Sequence, residues 1–286
     1  MHFAIRYLTE YRYDAPVTDN LNALRVKPAT TATQRVDDFG VRVDPESRLH
    51  QHLDYYGTTV IEFGISRPHE QLSIDVRSRV RTAPPEDPPD APWADLEAAV
   101  YQTEAGEFAL SDGSEPDALA LDELVGASRA ETPVATVRRL VELIPDRFEY
   151  RPGVTYVGST VADLLEAGAG VCQDFAHLAL LLLRRHGIAA RYVSGYLWAP
   201  GDDGADSAEV DTHAWIEALV PGDREPVWVP ADPTNRTLGG ETHVKIGHGR
   251  RYTDVPPIKG VYRGGAGAEL RASVKMTRSD PSPARA

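Results

Sequence analysis

The order of sequence patterns predicts an all-β N-terminal domain followed by a domain that contains both helices and strands. Three observations support this division. β-Branched and aromatic residues recur in short runs over residues 1–82, five prolines crowd residues 83–92, and helical patterns appear only after them. Because prolines at this density fit neither a helix nor a central strand, residues 83–92 are predicted to be an extended linker.

The N-terminal domain is predicted from apolar runs that turn signals separate, with no helical pattern between them. Several short strands at this spacing favour an antiparallel sandwich or a small barrel. The predicted strands cover residues 3–7, 36–43, 58–65 and 72–80.

The second domain, residues 93–275, begins with helical patterns and ends with strands. Thr132 and Pro133 are a typical N-cap and first helical residue, and Gly187 is a typical residue after a helix. Residues 276–286, rich in Ser, Pro and Arg, are predicted to be a disordered tail. The predicted helices are 93–102, 117–126, 133–144, 160–167 and 172–186, the predicted strands are 189–196, 212–220 and 227–231, and a Gly- and Asp-rich loop is predicted at 200–204.

The charge balance argues against nucleic acid and anionic membranes as partners. The chain has 286 residues, with 30 Lys and Arg against 43 Asp and Glu, for a net charge of -13. Thirteen acidic residues and one basic residue lie in 86–131, so the acidity belongs to the linker and the first helices. The N-terminus lacks a signal-peptide pattern, and the longest apolar stretch, 178–183, is too short to span a bilayer. These features predict a cytoplasmic protein and leave its oligomeric state open.

Cys172 is the only cysteine, which excludes an internal disulfide and a multi-cysteine zinc site. Small residues precede it, and apolar residues follow it at steps of three and four, so Cys172 is predicted in the first turn of a buried helix. Unpaired N–H groups and the helix dipole favour a thiolate at that position. A small buried hydrophobic residue is the alternative interpretation of a lone cysteine.

A base for that thiol is predicted on a neighbouring hairpin. If Val220 pairs with Val227 across the turn, His213 and Asp232 lie on one face as diagonal neighbours, about 7 Å apart at Cβ. A carboxylate on one ring nitrogen would orient the imidazole and leave the other nitrogen to activate Cys172. A slip of one residue would send Asp232 to the opposite face.

Other histidines give weaker signals. His50 and His52 could form a metal pair on one strand face, but no third ligand is nearby and a solvated edge is the simpler interpretation. His243 and His248 are predicted in a Gly-rich loop without matching carboxylates. Because phosphate-loop and dinucleotide fingerprints are missing from the sequence, no cofactor and no metal are expected.

Four sequence blocks occur in one order: GVCQDFAH (170–177), ARYVSGY (190–196), THAW (212–215) and DPTN (232–235). Together they resemble the bacterial transglutaminase-like proteins of the papain-like superfamily. The resemblance implies an α+β core in which the cysteine helix packs against an antiparallel sheet, and residues 1–82 resemble the β-rich region that precedes this core in many members. It also implies that Cys172 is the nucleophile, His213 the general base and acid, and Asp232 the residue that orients His213.

The resulting hypothesis is acyl chemistry on peptide or isopeptide amide bonds through a Cys172 thioester, with a protein or peptide as substrate. Hydrolysis, as in a cysteine peptidase or amidase, is favoured. Amine transfer, as in a transglutaminase, is the first alternative because both outcomes use the same three residues. A peptide- or protein-binding module with vestigial catalysis is the second alternative.

Overall fold

The structure is a computed structural model and describes residues 1–111, 116, 119–199, 206–210, 212–265 and 267–279. Its N-terminal region is all-β, as the alternation of apolar and polar residues predicts. The predicted loop at 200–204 lies outside the described residues. The N-terminal strands are β1 (His2–Leu24), β2 (Gln34–Asp44), β3 (His50–Leu53), β4 (Thr59–Ile65) and β5 (His69–Thr82).

Helices dominate the next part of the chain, after residues 83–92, which form neither helix nor strand. The predicted helix at 93–102 is divided into a 3-10 turn, Trp93–Glu97, and a short α-helix, because Ala98 between them has extended backbone angles. The α-helices are α1 (Ala99–Ala105), α2 (Leu119–Ser128), α3 (Pro133–Arg147), α4 (Val161–Ala167) and α5 (Cys172–Arg185).

The remaining strands follow or separate these helices. They are β6 (Glu149–Tyr150), β7 (Ala169–Gly170), β8 (Ala190–Leu197), β9 (Ser207–Val210), β10 (Thr212–Val220), β11 (Val227–Asp232), β12 (Thr237–Leu238), β13 (His243–Gly249), β14 (Ile258–Arg263) and β15 (Ala268–Arg278).

Of the described strands, eight form one antiparallel sheet built around the long strand β1. The first half of β1 pairs with β5 on one side and β15 on the other, and its second half pairs with β4 and β14. The pairing register shifts between Arg12 and Val17 and again between Thr18 and Leu21, so β1 bends between the halves. Phe3, which points inward like every second residue up to Thr9, is 1% exposed.

The C-terminal part of the chain returns to this sheet, which the sequence analysis did not predict. β9, β14 and β15 all come from beyond residue 200, yet they extend the N-terminal sheet. Residues 276–278 of the predicted tail form the end of β15, and residues 280–286 lie outside the described part. The local pattern of a strand does not specify its partner, so the pairing of residues so far apart in sequence was missed.

A second antiparallel sheet, in the order β12-β11-β10-β8-β13, carries the other core. α5 packs against β10 and β8, with α3 and α2 beside it. Its apolar residues recur at helical spacing, and Phe175, Leu178 and Leu182 are fully buried. This α+β core with a cysteine helix on an antiparallel sheet confirms the predicted fold class. Within the described residues, no helix has the length and apolarity needed to cross a bilayer.

Candidate active site

Cys172 is the first residue of α5, as predicted, and it is partly exposed. The chain reaches it through a tight turn, because Gly168 ends α4 in the left-handed conformation with a φ of 63°. Asp174 then fixes the start of α5: its Oδ2 accepts the Val171 N–H at 2.8 Å and the Thr155 hydroxyl at 2.6 Å. The nucleophile candidate is therefore held by a rigid local structure.

His213 lies on β10, and the predicted hairpin register is confirmed. Val220 pairs with Val227, and the ladder continues to Ile216 opposite Ala231. This register brings the His213 Nε2 within 2.8 Å of Asp232 Oδ2. Cys172 lies near enough to the His213 side chain to raise its pKa, so the three predicted site residues are brought together in the order Cys, His, Asp.

Asp232 is fully buried at the end of β11, where an ionised carboxylate requires several donors. Its Oδ1 accepts the backbone N–H groups of Thr234 at 2.9 Å and Asn235 at 3.2 Å. Its Oδ2 accepts the Asn235 side-chain amide at 2.8 Å and faces the imidazoles of His213 and His243. Burial alone raises the pKa of Asp232, but these hydrogen bonds outweigh burial and hold the pKa well below its ordinary value.

The contact with Asp232 also changes the pKa of His213. Burial lowers its pKa, but the hydrogen bonds with Asp232 and Cys172 and their negative charges raise it to about 9. An imidazole in this environment accepts a proton readily from the neighbouring thiol. Since Nε2 faces Asp232, Nδ1 is the ring nitrogen left for Cys172. His213 is therefore placed to act as a base toward the Cys172 thiol.

Two residues near Asp232 were not assigned to the site from the sequence. Asn235 bonds Asp232 Oδ2, and its side-chain nitrogen lies 3.3 Å from His213 Nε2. His243, predicted in a loop without carboxylates, instead begins β13, and its Nε2 lies 3.1 Å from Asp232 Oδ2. The block DPTN contained Asn235, so that signal was present. The contact of His243 depends on β13 pairing with β8, which no local pattern predicts.

Trp215 and His177 belong to two of the four sequence blocks and make contacts near the site. The Trp215 ring stacks beside His213 with centroids 6.0 Å apart and an interplanar angle of 24°, and it is 1% exposed. The His177 Nε2 accepts the backbone N–H of Tyr252 at 3.2 Å, which links α5 to the segment after β13. Both residues thus support the walls of the site.

One group of described residues has metal-ligand atoms that converge within 4.8 Å: His213, Asp232 and His243. Both histidine Nε2 atoms face the same carboxylate oxygen at hydrogen-bond distance. Hydrogen bonds therefore account for this convergence. His50 and His52 stack with ring centroids 5.8 Å apart and are not part of any such group within the described ranges.

The segment 150–157 borders the start of α5 and presents apolar side chains to solvent. Tyr156 is 75% exposed and Val157 is 65% exposed. The segment is bonded to the helix start through Thr155 and Asp174, and through the Gln173 side-chain amide, which donates to the Val157 carbonyl at 3.3 Å. An exposed apolar border beside a candidate nucleophile is a suitable contact for a peptide.

The described architecture and site define a transglutaminase-like fold. Residues 122–233 match the Transglutaminase-like superfamily, and residues 3–81 match the Bacterial transglutaminase-like N-terminal region. An uncharacterized protein of Mycobacterium leprae is 34% identical over 278 residues, which cover 94% of this chain and 96% of that protein. The chain therefore belongs to the transglutaminase-like superfamily and carries its bacterial N-terminal region.

Two further proteins show how widely the resemblance extends. The crystal structure of a Cytophaga hutchinsonii protein inferred to be a cysteine protease has a TM-score of 0.72 and 23% identity, and the match covers 99% of this chain and 93% of that chain. A protein-glutamine gamma-glutamyltransferase of Pseudomonas aeruginosa is 28% identical over 160 residues, which are 52% of this chain and 23% of that protein. The first similarity shows the shared fold.

Proposed function

We propose that the protein is a thiol enzyme that cleaves peptide or isopeptide amide bonds through an acyl-enzyme on Cys172. The observation that carries the proposal is the 2.8 Å contact of the His213 imidazole with the buried Asp232, in the neighbourhood of Cys172, together with a His213 pKa of about 9. These are the contacts that a base needs to take a thiol proton and keep it beside the thiolate. A protein or peptide substrate agrees with the exposed apolar border at Tyr156 and Val157.

In the first step the Cys172 thiol gives its proton to His213, and the sulfur attacks the carbonyl carbon of the amide. The developing oxyanion is stabilised by the backbone N–H of Cys172, which has no intrahelical partner in the first turn of α5. The carbon–nitrogen bond then breaks as His213 passes its proton to the departing amine. A thioester between Cys172 and the acyl group remains.

In the second step His213 takes a proton from water, and the oxygen attacks the thioester carbon. The carbon–sulfur bond breaks, the carboxylic acid leaves, and the proton returns from His213 to the Cys172 sulfur. Asp232 stays ionised throughout and keeps the imidazole oriented by its contact with Nε2.

Amine transfer is the second candidate, favoured by the similarity to a protein-glutamine gamma-glutamyltransferase. In that reaction an amine replaces water in the second step, and an amide forms instead of an acid. Because the acyl-enzyme is common to both reactions, the two candidates differ only in which nucleophile reaches the thioester.

Mass spectrometry of a peptide library incubated with the protein, with and without an added primary amine, tests both candidates. Hydrolysis predicts cleaved or deamidated peptides in both samples, whereas transfer predicts peptides that carry the added amine. Both activities are expected to disappear in Cys172→Ala. A wild-type protein that leaves the library unchanged in both samples, while binding a subset of its peptides, would favour the binding-module alternative.

A further inference from the structure

A second imidazole shares the carboxylate oxygen that orients His213. The Nε2 atoms of His213 and His243 lie 2.8 Å and 3.1 Å from Asp232 Oδ2. The sequence resemblance and the mechanism above give His243 no role. A histidine beside a buried carboxylate can have a purely structural role. Two features therefore decide whether His243 acts on Asp232: which ring nitrogen carries the hydrogen, and which residues hold the histidine in place.

The contact made by Nδ1 shows which ring nitrogen of His243 carries the hydrogen. The backbone N–H of Gly240 donates to His243 Nδ1 at 3.2 Å, so that nitrogen carries the lone pair. Nε2 therefore carries the hydrogen and donates it to Asp232 Oδ2. The ring is 8% exposed and packs edge-on against Trp215, with centroids 5.2 Å apart. His243 is thus a donor of fixed direction.

The N-terminal region holds the strand that His243 begins. The buried side-chain amide of Gln34 accepts the Lys245 N–H at 2.8 Å and donates to the Lys245 carbonyl at 2.7 Å. On the other side of His243, the Thr82 hydroxyl donates to the Glu241 carbonyl at 2.6 Å. The backbone around His243 is therefore fixed by two contacts with the region at residues 1–82.

We propose, on the premise of the proposed function, that His243 is a positioning residue. Its Nε2–H holds Asp232 Oδ2 toward His213, and its place on β13 connects the orientation of His213 to the N-terminal region. Without this donor, Oδ2 loses one of its three hydrogen-bond partners in a fully buried environment, and the direction of Oδ2 toward His213 is less firmly fixed. The imidazole of His213 then has a less defined orientation toward Cys172.

The test compares His243→Leu, which removes the donor, with His243→Gln, whose amide can donate to Asp232 and accept from Gly240. His248→Leu is the matched control, since His248 lies on the same strand and contacts Arg191 instead of Asp232. Peptide turnover and the pH dependence of Cys172 alkylation are measured for each variant and for wild type. Folding is checked by thermal unfolding.

The proposal predicts that His243→Leu lowers kcat at least about tenfold, as loss of a hydrogen bond to a charged group does. KM is expected to stay unchanged, and the alkylation profile is expected to shift. His243→Gln should recover most of the wild-type kcat and most of the wild-type alkylation profile. His248→Leu should resemble wild type in both measurements. If His243→Leu does not fold, His243→Asn replaces it, because the shorter amide does not reach Asp232 from the same backbone.

Three results would overturn the proposal. The first is wild-type kcat and a wild-type alkylation profile in His243→Leu or its Asn replacement. The second is a His243→Gln variant as impaired as the variant without the donor. The third is loss of wild-type turnover with EDTA and its recovery with zinc, because the residues would then act as metal ligands. If wild type itself lacks turnover but its alkylation profile shifts in His243→Leu, the proposed function fails and the positioning role stands.

Discussion

At the scale of single residues, the site depends on the charge of the buried Asp232 carboxylate. Asp232 keeps its charge because several donors surround it, and that charge in turn raises the pKa of His213. The cost of burying a carboxylate is thus offset by contacts that also orient the imidazole. The stability of the protein should therefore report on the site through its pH dependence.

His213→Gln tests this link between stability and pH. The folded-state pKa of His213 is about 9, above its ordinary 6.5, so its stabilising effect is complete below about pH 6.5 and is lost as the pH rises through about 9. The difference in unfolding free energy between wild type and variant should be about 3 kcal/mol at low pH and should shrink toward about pH 10. Urea unfolding of both proteins at several pH values measures this difference in unfolding free energy.

The control for that experiment is His186→Gln. Burial lowers the pKa of His186, so its imidazole is already uncharged at neutral pH. The difference from wild type should therefore stay constant above about pH 7. If the difference in unfolding free energy between His213→Gln and wild type also stays constant over this range, the pKa of His213 is not raised in the folded protein.

At the scale of elements, the short passage from α4 to α5 places the nucleophile candidate. β7 pairs in parallel with β6, and Gly170 then approaches the Asp174 side chain that bonds the Val171 N–H. A Cβ atom at residue 170 would lie 2.8 Å from Asp174 Oδ2 and 2.9 Å from Leu164 Cδ1. Only glycine fits there without moving the carboxylate.

Gly170→Ala should therefore both destabilise the protein and disturb Cys172. The overpacked side chain is expected to cost about 1–3 kcal/mol and to slow alkylation of Cys172, because Asp174 must leave the Val171 N–H. Gly126→Ala is the control: it lies in α2 with no atom within 4 Å of its added Cβ, and should stabilise the protein by about 0.5–1 kcal/mol. Equal stability and reactivity of the Gly170→Ala variant and wild type would show that the turn does not position Cys172.

A buried ion cluster joins the strands of the smaller sheet. Glu217 Oε2 lies 2.6 Å from both Lys245 Nζ and Arg191 Nε, so β10 is tied to β13 and β8. Burial lowers the pKa of Lys245 to about 8, while for Glu217 the two cations outweigh burial and lower its pKa to about 2. These charges lie on the strands that carry His213 and His243, and they help to fix the spacing between those strands.

At the scale of the whole molecule, the N-terminal and C-terminal parts of the chain form one structure around the site. β15 pairs with β1 from Ala268 to Arg278, and the N-terminal region contacts β13 through Gln34. The predicted boundary at residues 83–92 remains a prediction. The strands β9, β14 and β15, from beyond residue 200, belong to the N-terminal sheet. A substitution that breaks contacts between the N-terminal region and β13 should therefore also lower the activity of the site.

Gln34→Leu tests that connection. Loss of the amide leaves the Lys245 N–H without its partner in a buried environment, which should cost about 1–3 kcal/mol, whereas the Lys245 carbonyl keeps the Ala29 N–H at 2.8 Å. Peptide turnover should fall as β13 shifts beneath Asp232. Gln51→Leu, an exposed substitution on β3, should change stability by less than about 0.5 kcal/mol. Unfolding and turnover equal to wild type in Gln34→Leu would show that the region acts independently of the site.

The sequence was sufficient to predict what depends on local spacing. The start of α5 at Cys172 and the hairpin register of β10 and β11 follow from periodicity and turn length, so the contact of His213 with Asp232 was foreseen. His243 was missed because its contact depends on β13 pairing with β8. β15 was partly assigned to a disordered tail because its partner β1 lies at the opposite end of the chain.

Activation of Cys172 by His213 is tested most directly by iodoacetamide alkylation. The rate of alkylation is measured as a function of pH in wild type and in His213→Ala. The single cysteine makes the reaction specific for Cys172. We expect rapid alkylation of the native protein well below about pH 8, and a profile moved to higher pH in His213→Ala. A thiol that stays inert until the protein is denatured, or an identical profile in the variant, would contradict this activation.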